Sequence, residues 1–311
     1  MTKNILTLTV NPAIDRTITV DRLVFEDRAY ILSSNDAAGG RGINAARVLT
    51  NLGANAIAIT TSGRQGHKFE EQLRQDSFGK EIVKIRHNIR INLTITDRQG
   101  LSVKLNEVGP TVARAEQNRI LKGVEKHLPS SSWLMLCGSL PPGVDAHFYT
   151  KLITMAAKHE VQTLLDTDGD ALLYGIEGEP TVVKPNQSEA ERLLNRALIT
   201  RAQFIEAVQQ IKAMGATSAV LSLGGRGAVA ASNEGVLEVV PPQVEALSPI
   251  GAGDAMAAAL VWALDRGESF GEALRWGVAA GTASSKLPGI NLADLEQTQE
   301  IYPRTQLTKI V

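Results

Sequence analysis

The sequence predicts an α/β protein: helices cover both faces of a mostly parallel β-sheet, and a small antiparallel β lid is set apart from it. Three observations lead there. From Arg114 onward, helical stretches alternate with short runs such as 133–136, 163–166 and 218–222 that carry almost no polar face. Strands of that kind are buried on both sides, as in parallel sheets. Two other segments, 14–36 and 89–106, alternate apolar and polar residues, which suits a half-exposed antiparallel sheet rather than the core. Finally, 311 residues at 43% hydrophobic content suffice for a sizeable core.

The elements follow in order. Residues 5–10 form a β-branched, apolar run ended by Asn11-Pro12, a buried strand. Residues 14–20 and 29–33 read as half-exposed strands. Gly39-Gly40-Arg41-Gly42 makes a turn into a helix over 43–52, stopped by Gly53. A buried strand over 56–60 and a helix over 68–75 come next. Residues 89–95 and 102–105 flank Arg98-Gln99-Gly100 as a hairpin. Helices are expected over 114–127, 145–158, 187–194 and 201–214, with a further strand over 181–183. A late hairpin joins 228–231 to 236–240, and the chain closes with helices over 255–264, 270–285 and 292–302. The core is thus residues 1–13, 37–88 and 107–311, and the lid is 14–36 and 89–106. The lid is placed over the carboxyl edge of the sheet, where ligands of open α/β sheets bind.

Composition narrows the function. Lys and Arg total 32 against 33 Asp and Glu, so no global charge favours a nucleic acid or a membrane surface as partner. The single cysteine, Cys137, allows no internal disulfide and no cysteine metal site. It reads as a core thiol, and a reducing cytoplasm is the expected location. The start of the chain lacks a signal-peptide pattern, and the longest apolar run, 255–264, is too short to span a bilayer. His67, His87, His127, His147 and His159 show no metal-ligand spacing.

Five turns carry chemistry. In Ser248-Pro249-Ile250-Gly251-Ala252-Gly253-Asp254, two glycines precede a carboxylate at the start of an apolar helix. Bare backbone and a helix N-terminus make an anion site. Asp254 there either caps the helix or takes a proton from a nucleophile while the N–H groups hold developing charge. Gly40-Arg41-Gly42-Ile43-Asn44-Ala45 fits a dinucleotide fingerprint. That motif needs a strand directly before it, and Ser33-Ser34-Asn35-Asp36-Ala37-Ala38 does not read as one. What remains is a glycine-rich helix start suited to a small anion, or a plain tight turn. No Walker-type phosphate loop occurs; Ser222-Leu223-Gly224-Gly225-Arg226-Gly227 offers backbone to phosphate or is an ordinary hairpin turn. Lys184-Pro185-Asn186-Gln187-Ser188-Glu189 is either a capping box or a pair, Asn186 and Glu189, that orients water around magnesium. Cys137-Gly138-Ser139-Leu140-Pro141-Pro142-Gly143 exposes the Ser139 hydroxyl at the same edge.

Taken in order, Thr7-Leu8-Thr9-Val10-Asn11-Pro12-Ala13-Ile14-Asp15-Arg16, Gly39 to Arg47, Val183-Lys184-Pro185-Asn186 and Gly251-Ala252-Gly253-Asp254 resemble the ribokinase-like carbohydrate kinases of the phosphofructokinase B branch. The resemblance spans about residues 5 to 302. It implies a three-layer α/β/α fold and ATP-dependent, magnesium-assisted phosphorylation of a ketohexose phosphate. Fructose 1-phosphate is preferred on Arg90-Ile91-Asn92, with fructose 6-phosphate and tagatose 6-phosphate as alternatives. A non-catalytic nucleotide or sugar-phosphate sensor is the alternative of another class. The resemblance makes Asp254 the catalytic base and Gly251, Ala252 and Gly253 the anion hole. Asp15, Gly39, Gly40, Asn44 and Ser139 would meet the sugar, and Arg41 and Arg90 its phosphate. Lys184, Asn186, Ser222, Gly224, Gly225, Gly227, Val278 and Thr282 would line ATP, while Ser248, Ile250, Ser284 and Gly289 would border the monovalent-cation site of relatives, with potassium as the candidate ion. Unpaired lid edges predict a homodimer formed lid to lid.

Overall fold

Along Ser131–Cys137 the side chains of Trp133, Met135 and Cys137 join one hydrophobic cluster, and those of Leu134 and Leu136 join another. This period-two alternation, apolar on both sides, means that two helical layers sandwich the sheet. The computed structural model describes residues 3–24 and 26–310; Met1, Thr2, Phe25 and Val311, which fall in the expected core and lid spans, lie outside the described residues.

The chain runs β1 (Asn4–Thr9), β2 (Ala13–Val20), β3 (Ile31–Gly39), α1 (Arg41–Asn51), β4 (Ala56–Ser62), α2 (His67–Gln75) and β5 (Gly79–Lys84). Then come β6 (Arg90–Asp97), β7 (Ser102–Asn106), α3 (Arg114–His127), β8 (Ser131–Cys137), α4 (Phe148–Ala157), β9 (Gln162–Asp166) and α5 (Gly169–Ile176). They are followed by β10 (Val182–Val183), α6 (Gln187–Leu194), α7 (Arg201–Ala213), β11 (Ser218–Ser222), β12 (Ala228–Ser232) and β13 (Gly235–Val240). The chain ends with α8 (Ala252–Asp265), α9 (Phe270–Ser285), α10 (Leu295–Ile301) and β14 (Gln306–Lys309).

The large sheet has the order β14-β13-β12-β11-β10-β9-β8-β1-β4-β5. Pairing is parallel from β5 through to β11 and antiparallel across β12, β13 and β14. From β1 the chain moves first to β4 and later to β8 on the other side, so a crevice opens beyond the carboxyl ends of β1 and β8. The lid is a separate sheet, β3-β2-β6-β7, whose outer pairs are antiparallel and meet along a parallel β2–β6 seam.

One helical pair sets the geometry of the site. Gly277 and Gly281 on α9 lie so close to α8 that a Cβ on either would stand 2.9 Å from the carbonyl oxygen of Met256 or Ala252 respectively. Small residues on both helices let them pack in near-backbone contact, and Ala255 to Ala263 of α8 are all buried. The opening turn of α8 is therefore held rigidly at the carboxyl edge.

Several expectations need correction. The half-exposed strand expected over 29–33 is instead Ile31–Gly39. Ser33 to Ala38 have weak strand propensity, but pairing with β2 along their whole length overrides it. A strand does precede Gly40, yet it belongs to the lid while β4 lies in the core sheet, so no dinucleotide-type β-α-β unit forms. Helix α1 begins at Arg41 rather than Ile43, with Gly40 as N-cap at φ 134°, a value that L side chains rarely adopt. Helix α8 likewise begins at Ala252, three residues early. Strands β5 and β14 and helix α5 are further elements that the pattern does not announce: the two strands are short and of mixed polarity, and the helix is only eight residues long.

Candidate active site

Two cavities meet at the opening turn of α8. The first, about 310 Å³, lies between the lid sheet and the crevice and is called the lid cavity here. The second, about 520 Å³, lies on the outer side and is called the glycine cavity. Ile250, Gly251 and Asp254 face the lid cavity, while Pro249, Ala252, Gly253 and Met256 face the glycine cavity. The turn is thus a partition with a carboxylate on one side and bare backbone on the other. Its form depends on Gly251, the N-cap at φ 76°, where a Cβ would also stand 2.7 Å from the Leu292 side chain.

The lid cavity collects Asp15, Gly40, Arg41, Asn44, Arg90, Ser139, Gly251 and Asp254 from the expected set. Asp15 of β2 accepts a hydrogen bond from Asn92 Nδ2 of β6 at 2.9 Å, across the parallel seam. Gly39 lies behind Asp15 rather than on the cavity wall: a Cβ there would overlap Asp15 Oδ2. Arg90 Nη1 donates to the Glu107 carbonyl at 3.2 Å. Ser139 Oγ accepts from Asn11 Nδ2 at 3.2 Å. Buried atoms without a partner include Thr9 Oγ1, Asn11 Oδ1, Arg90 Nε and Asn92 Oδ1, all on residues of this wall. Unpaired polar atoms are costly in a folded protein, and their concentration here marks a wall shaped for a polar ligand.

Asp254 sits half-buried at the cavity floor and accepts from Asn44 Nδ2 at 2.8 Å. Burial, then the nearby Asp166 charge, push its pKa up to about 7, against the pull of Asn44, Arg41 and Lys184. Burial also raises Asp15, against Asn92, Arg90 and Arg47, and lowers Arg90. Burial drives the Cys137 thiol far up, so it remains a protonated core group.

Behind the floor lies a charge cluster that the sequence reading missed. Asp166, at the end of β9, meets Arg41 Nη1 at 2.9 Å and Lys184 Nζ at 3.2 Å. Arg41 Nη2 also reaches Glu189 Oε1 at 2.9 Å and Asp168 Oδ2 at 3.6 Å. Burial opposes the Arg41 charge, but Asp166, Glu189, Asp254 and Asp168 together hold it protonated with a raised pKa. Arg41 was expected to meet a substrate phosphate; its guanidinium is already shared among carboxylates. Lys184, expected to line ATP, is 3% exposed, does not line the glycine cavity, and lies under the α8 turn 4.0 Å from where a Gly253 Cβ would be. Asp166 closes a buried strand at the carboxyl edge, the one signal that could have singled it out.

The glycine cavity collects Asn186, Ser222, Gly224, Gly225, Gly227, Val278 and Thr282 from the expected set. Pro241 to Val244 add a wall that no pattern announced. Asn186 and Glu189 form the complete capping box of α6: Asn186 Oδ1 accepts from the Glu189 N–H at 2.9 Å, and Glu189 Oε2 from the Asn186 N–H at 2.8 Å. Of the four residues tied to a monovalent cation, Ser248 is joined to α9 through its N–H and the Ser285 carbonyl at 3.1 Å. The Ser284 hydroxyl accepts from the Ala293 N–H, Ile250 lines the lid cavity, and Gly289 lies in the turn beyond α9 with φ 65°. Among the described residues, no cluster of three or more His, Cys, Asp or Glu side chains is arranged to hold a metal directly, and no helix is long and apolar enough to cross a membrane.

Residues 4–296 match the pfkB family carbohydrate kinase model. The chain belongs to the pfkB family of carbohydrate kinases. Members of this family are phosphotransferases with an alcohol group as acceptor. The chain is 33% identical over 302 residues to the ATP-dependent 6-phosphofructokinase isozyme 2 of Escherichia coli (strain K12), covering 96% of this chain and 97% of the relative. It is 28% identical over 309 residues to the 1-phosphofructokinase of Haemophilus influenzae, covering 99% of each. The phosphofructokinase-2 of Escherichia coli in complex with potassium superposes with a TM-score of 0.91 at 32% identity, covering 97% of this chain and 98% of that one. That protein also has a tetrameric inhibited form. The three-layer core with its lid is therefore the architecture of this kinase family.

Proposed function

We propose that this pfkB kinase transfers the γ-phosphoryl group of ATP to a hydroxyl of a ketohexose phosphate held in the lid cavity. One observation carries the reading: the first turn of α8 separates the two cavities, with Asp254 facing one and the Gly253 backbone facing the other. In-line transfer needs an acceptor hydroxyl and a phosphoryl donor on opposite sides of such a partition. Asp254, with its pKa near 7, takes the hydroxyl proton. The first N–H groups of α8, over Gly251 to Gly253, hold the charge on the moving phosphoryl oxygens. Asp15 and Asn44 position sugar hydroxyls, assisted by Gly40 and Ser139. Arg90 takes the existing phosphate by charge-assisted hydrogen bonds, and Arg41 adds positive field behind it. Gly224, Gly225, Gly227, Ser222, Val278 and Thr282 seat the nucleotide. The lid, expected over 14–36 and 89–106 and built of β2, β3, β6 and β7, acts as a unit that excludes water.

Magnesium would be held at the Asn186 and Glu189 end through water. Both Glu189 oxygens have protein partners but keep further lone pairs, and Asp166, Asp168 and Glu189 outnumber the two cations Arg41 and Lys184. That donor set suits an ion that retains most of its waters, and such an ion would supply charge neutralisation of the phosphates. Potassium at Ser248, Ile250, Ser284 and Gly289 is supported by the potassium complex of the Escherichia coli relative.

Fructose 1-phosphate is placed first, because Arg90 and Asn92 stand together beside Asp15. Fructose 6-phosphate is the second reading, favoured by the 33% identity with the 6-phosphofructokinase isozyme. Coupled ADP release on fructose 1-phosphate, fructose 6-phosphate and tagatose 6-phosphate separates them. The highest kcat/KM is expected on fructose 1-phosphate, and a preference for either 6-phosphate overturns that choice. Turnover on none of them would point to the sensor alternative. The exposed apolar residues Ile31, Leu32, Val103 and Leu105 on the lid support a homodimer formed lid to lid. Light scattering should give twice the 33.3 kDa chain mass, and a monomer at micromolar concentration removes the proposal.

A further inference from the structure

The Asn44 amide could meet Asp254 with either of its ends, since an amide carries both an acceptor and donors. It donates from Nδ2 to Asp254 Oδ2 at 2.8 Å. What enforces this orientation is Arg47, three residues along α1, whose Nη1 donates to Asn44 Oδ1 at 3.2 Å. A guanidinium has donors only, so the amide oxygen must face Arg47 and the NH2 is left for the carboxylate. Arg47 is itself held by a bidentate pair with Asp76, Nε to Oδ1 at 2.9 Å and Nη2 to Oδ2 at 3.1 Å. Asp76 is the C-cap of α2, and its carbonyl is tied to Lys80 Nζ at 2.6 Å. Neither Arg47 nor Asp76 lines either cavity, so neither touches a ligand there.

We infer that Arg47, braced by Asp76, is a positioning residue that locks the Asn44 amide with its NH2 toward Asp254, which leaves the other carboxylate oxygen aimed at the acceptor hydroxyl. The chain Asp76–Arg47–Asn44–Asp254 links α2 through α1 to α8, three elements with no continuity in sequence. The inference rests on Asp254 being the base. Other charges also face these groups. Asp166 of β9, Arg41 of α1 and Lys184 beyond β10 act on Asp254, and Asp15 of β2 lies within the field of Arg47. Loss of the Arg47 field at Asp15 would appear in the KM for the sugar phosphate, whereas loss of the amide lock appears in kcat.

A double-mutant cycle on the full chain separates the roles, read by steady-state kinetics with ATP and the best fructose phosphate. Arg47→Met should lower kcat about tenfold to a hundredfold, the range for a misplaced reacting group, with the KM for ATP within about twofold. Arg47→Lys, which keeps a donor, should recover part of the loss. Because Arg47 acts through Asn44, adding Arg47→Met to Asn44→Ala should cost no more than about twofold beyond Asn44→Ala alone. Losses that multiply in the double variant, or an unchanged kcat in Arg47→Met, overturn the inference. Should Arg47→Met fail to unfold cooperatively on heating, Asp76→Asn takes its place in the cycle, because it loosens the brace and leaves Arg47 present. Asp254→Asn distinguishes the two levels. Full turnover there removes the base reading itself, while an inactive Asp254→Asn together with an additive cycle removes only the role of Arg47.

Discussion

The lid cavity is walled mainly by side chains that carry charge or hydrogen-bonding groups, whereas the glycine cavity is walled mainly by glycine backbone, prolines and apolar side chains, with Asn186, Ser222, Gln243, Thr282 and Ser285 among them. They share the first turn of α8 and little else. On the lid side, recognition rests on directed side-chain atoms, several of which have no partner in the protein. On the glycine side it rests on shape and on backbone that a Cβ would obstruct. Each proposed ligand would then draw its selectivity from a different kind of wall. On the proposed assignment, a sugar phosphate would be read by charge and hydroxyl geometry, and a nucleotide by a slot that admits a flat base and a phosphate chain.

The largest effect should come from the shared partition. Asp254→Asn should lower kcat by about 10²–10⁴, the range for loss of a general base, with both KM values little changed. Retained turnover would sink the base assignment and with it the division of labour between the cavities. Substitutions on either side should then separate cleanly. Arg90→Ala removes a charge-assisted contact worth about 1.5–3 kcal/mol, so the KM for the sugar phosphate should rise about tenfold to a hundredfold with the KM for ATP unmoved. Gly225→Val is the mirror test. A Cβ at Gly225 meets nothing within 4 Å, so the fold should tolerate it while the slot narrows. The KM for ATP should rise about tenfold, equivalent to about 1.4 kcal/mol, without a change in the KM for sugar phosphate. If either variant moves both KM values equally, the two-wall picture is wrong.

The smallest effect is in pH. An unfolded aspartate ionises near 3.8, and folded Asp254 near 7. Between those values the folded state binds the extra proton, so this residue's contribution to stability falls as pH rises through that window. Asp254→Asn removes the titration, so its melting temperature relative to the parent should increase from pH 5 to pH 8. A constant difference across that range would mean that Asp254 is not desolvated as described. In the parent, kcat/KM should fall as pH drops below about 7, as the base becomes protonated.

Much of this was legible because it is local. Two glycines before Asp254, an apolar helix after it and alternating polarity in the lid are patterns over neighbouring residues, and each maps directly onto backbone conformation. The strand Ile31–Gly39 was not legible, because its polar run becomes a strand only through pairing with β2. The partners of Arg41 and Lys184 were not legible either. Their sequence context points both to phosphates, and both turn to Asp166, a residue 125 and 18 positions away, because β9 ends between them.

By itself the sequence determined the layered α/β class, the separate lid, the glycine-flanked carboxylate and the strand-end turns that border it, since periodicity and turn chemistry act over a few residues. Only the tertiary structure decided that one turn of α8 divides two unlike cavities, that Asp166 holds two cations beneath Asp254, and that Arg47 orients Asn44. Those outcomes depend on the directions of long side chains from different elements, and a guanidinium or a carboxylate finds its partner in space and not along the chain.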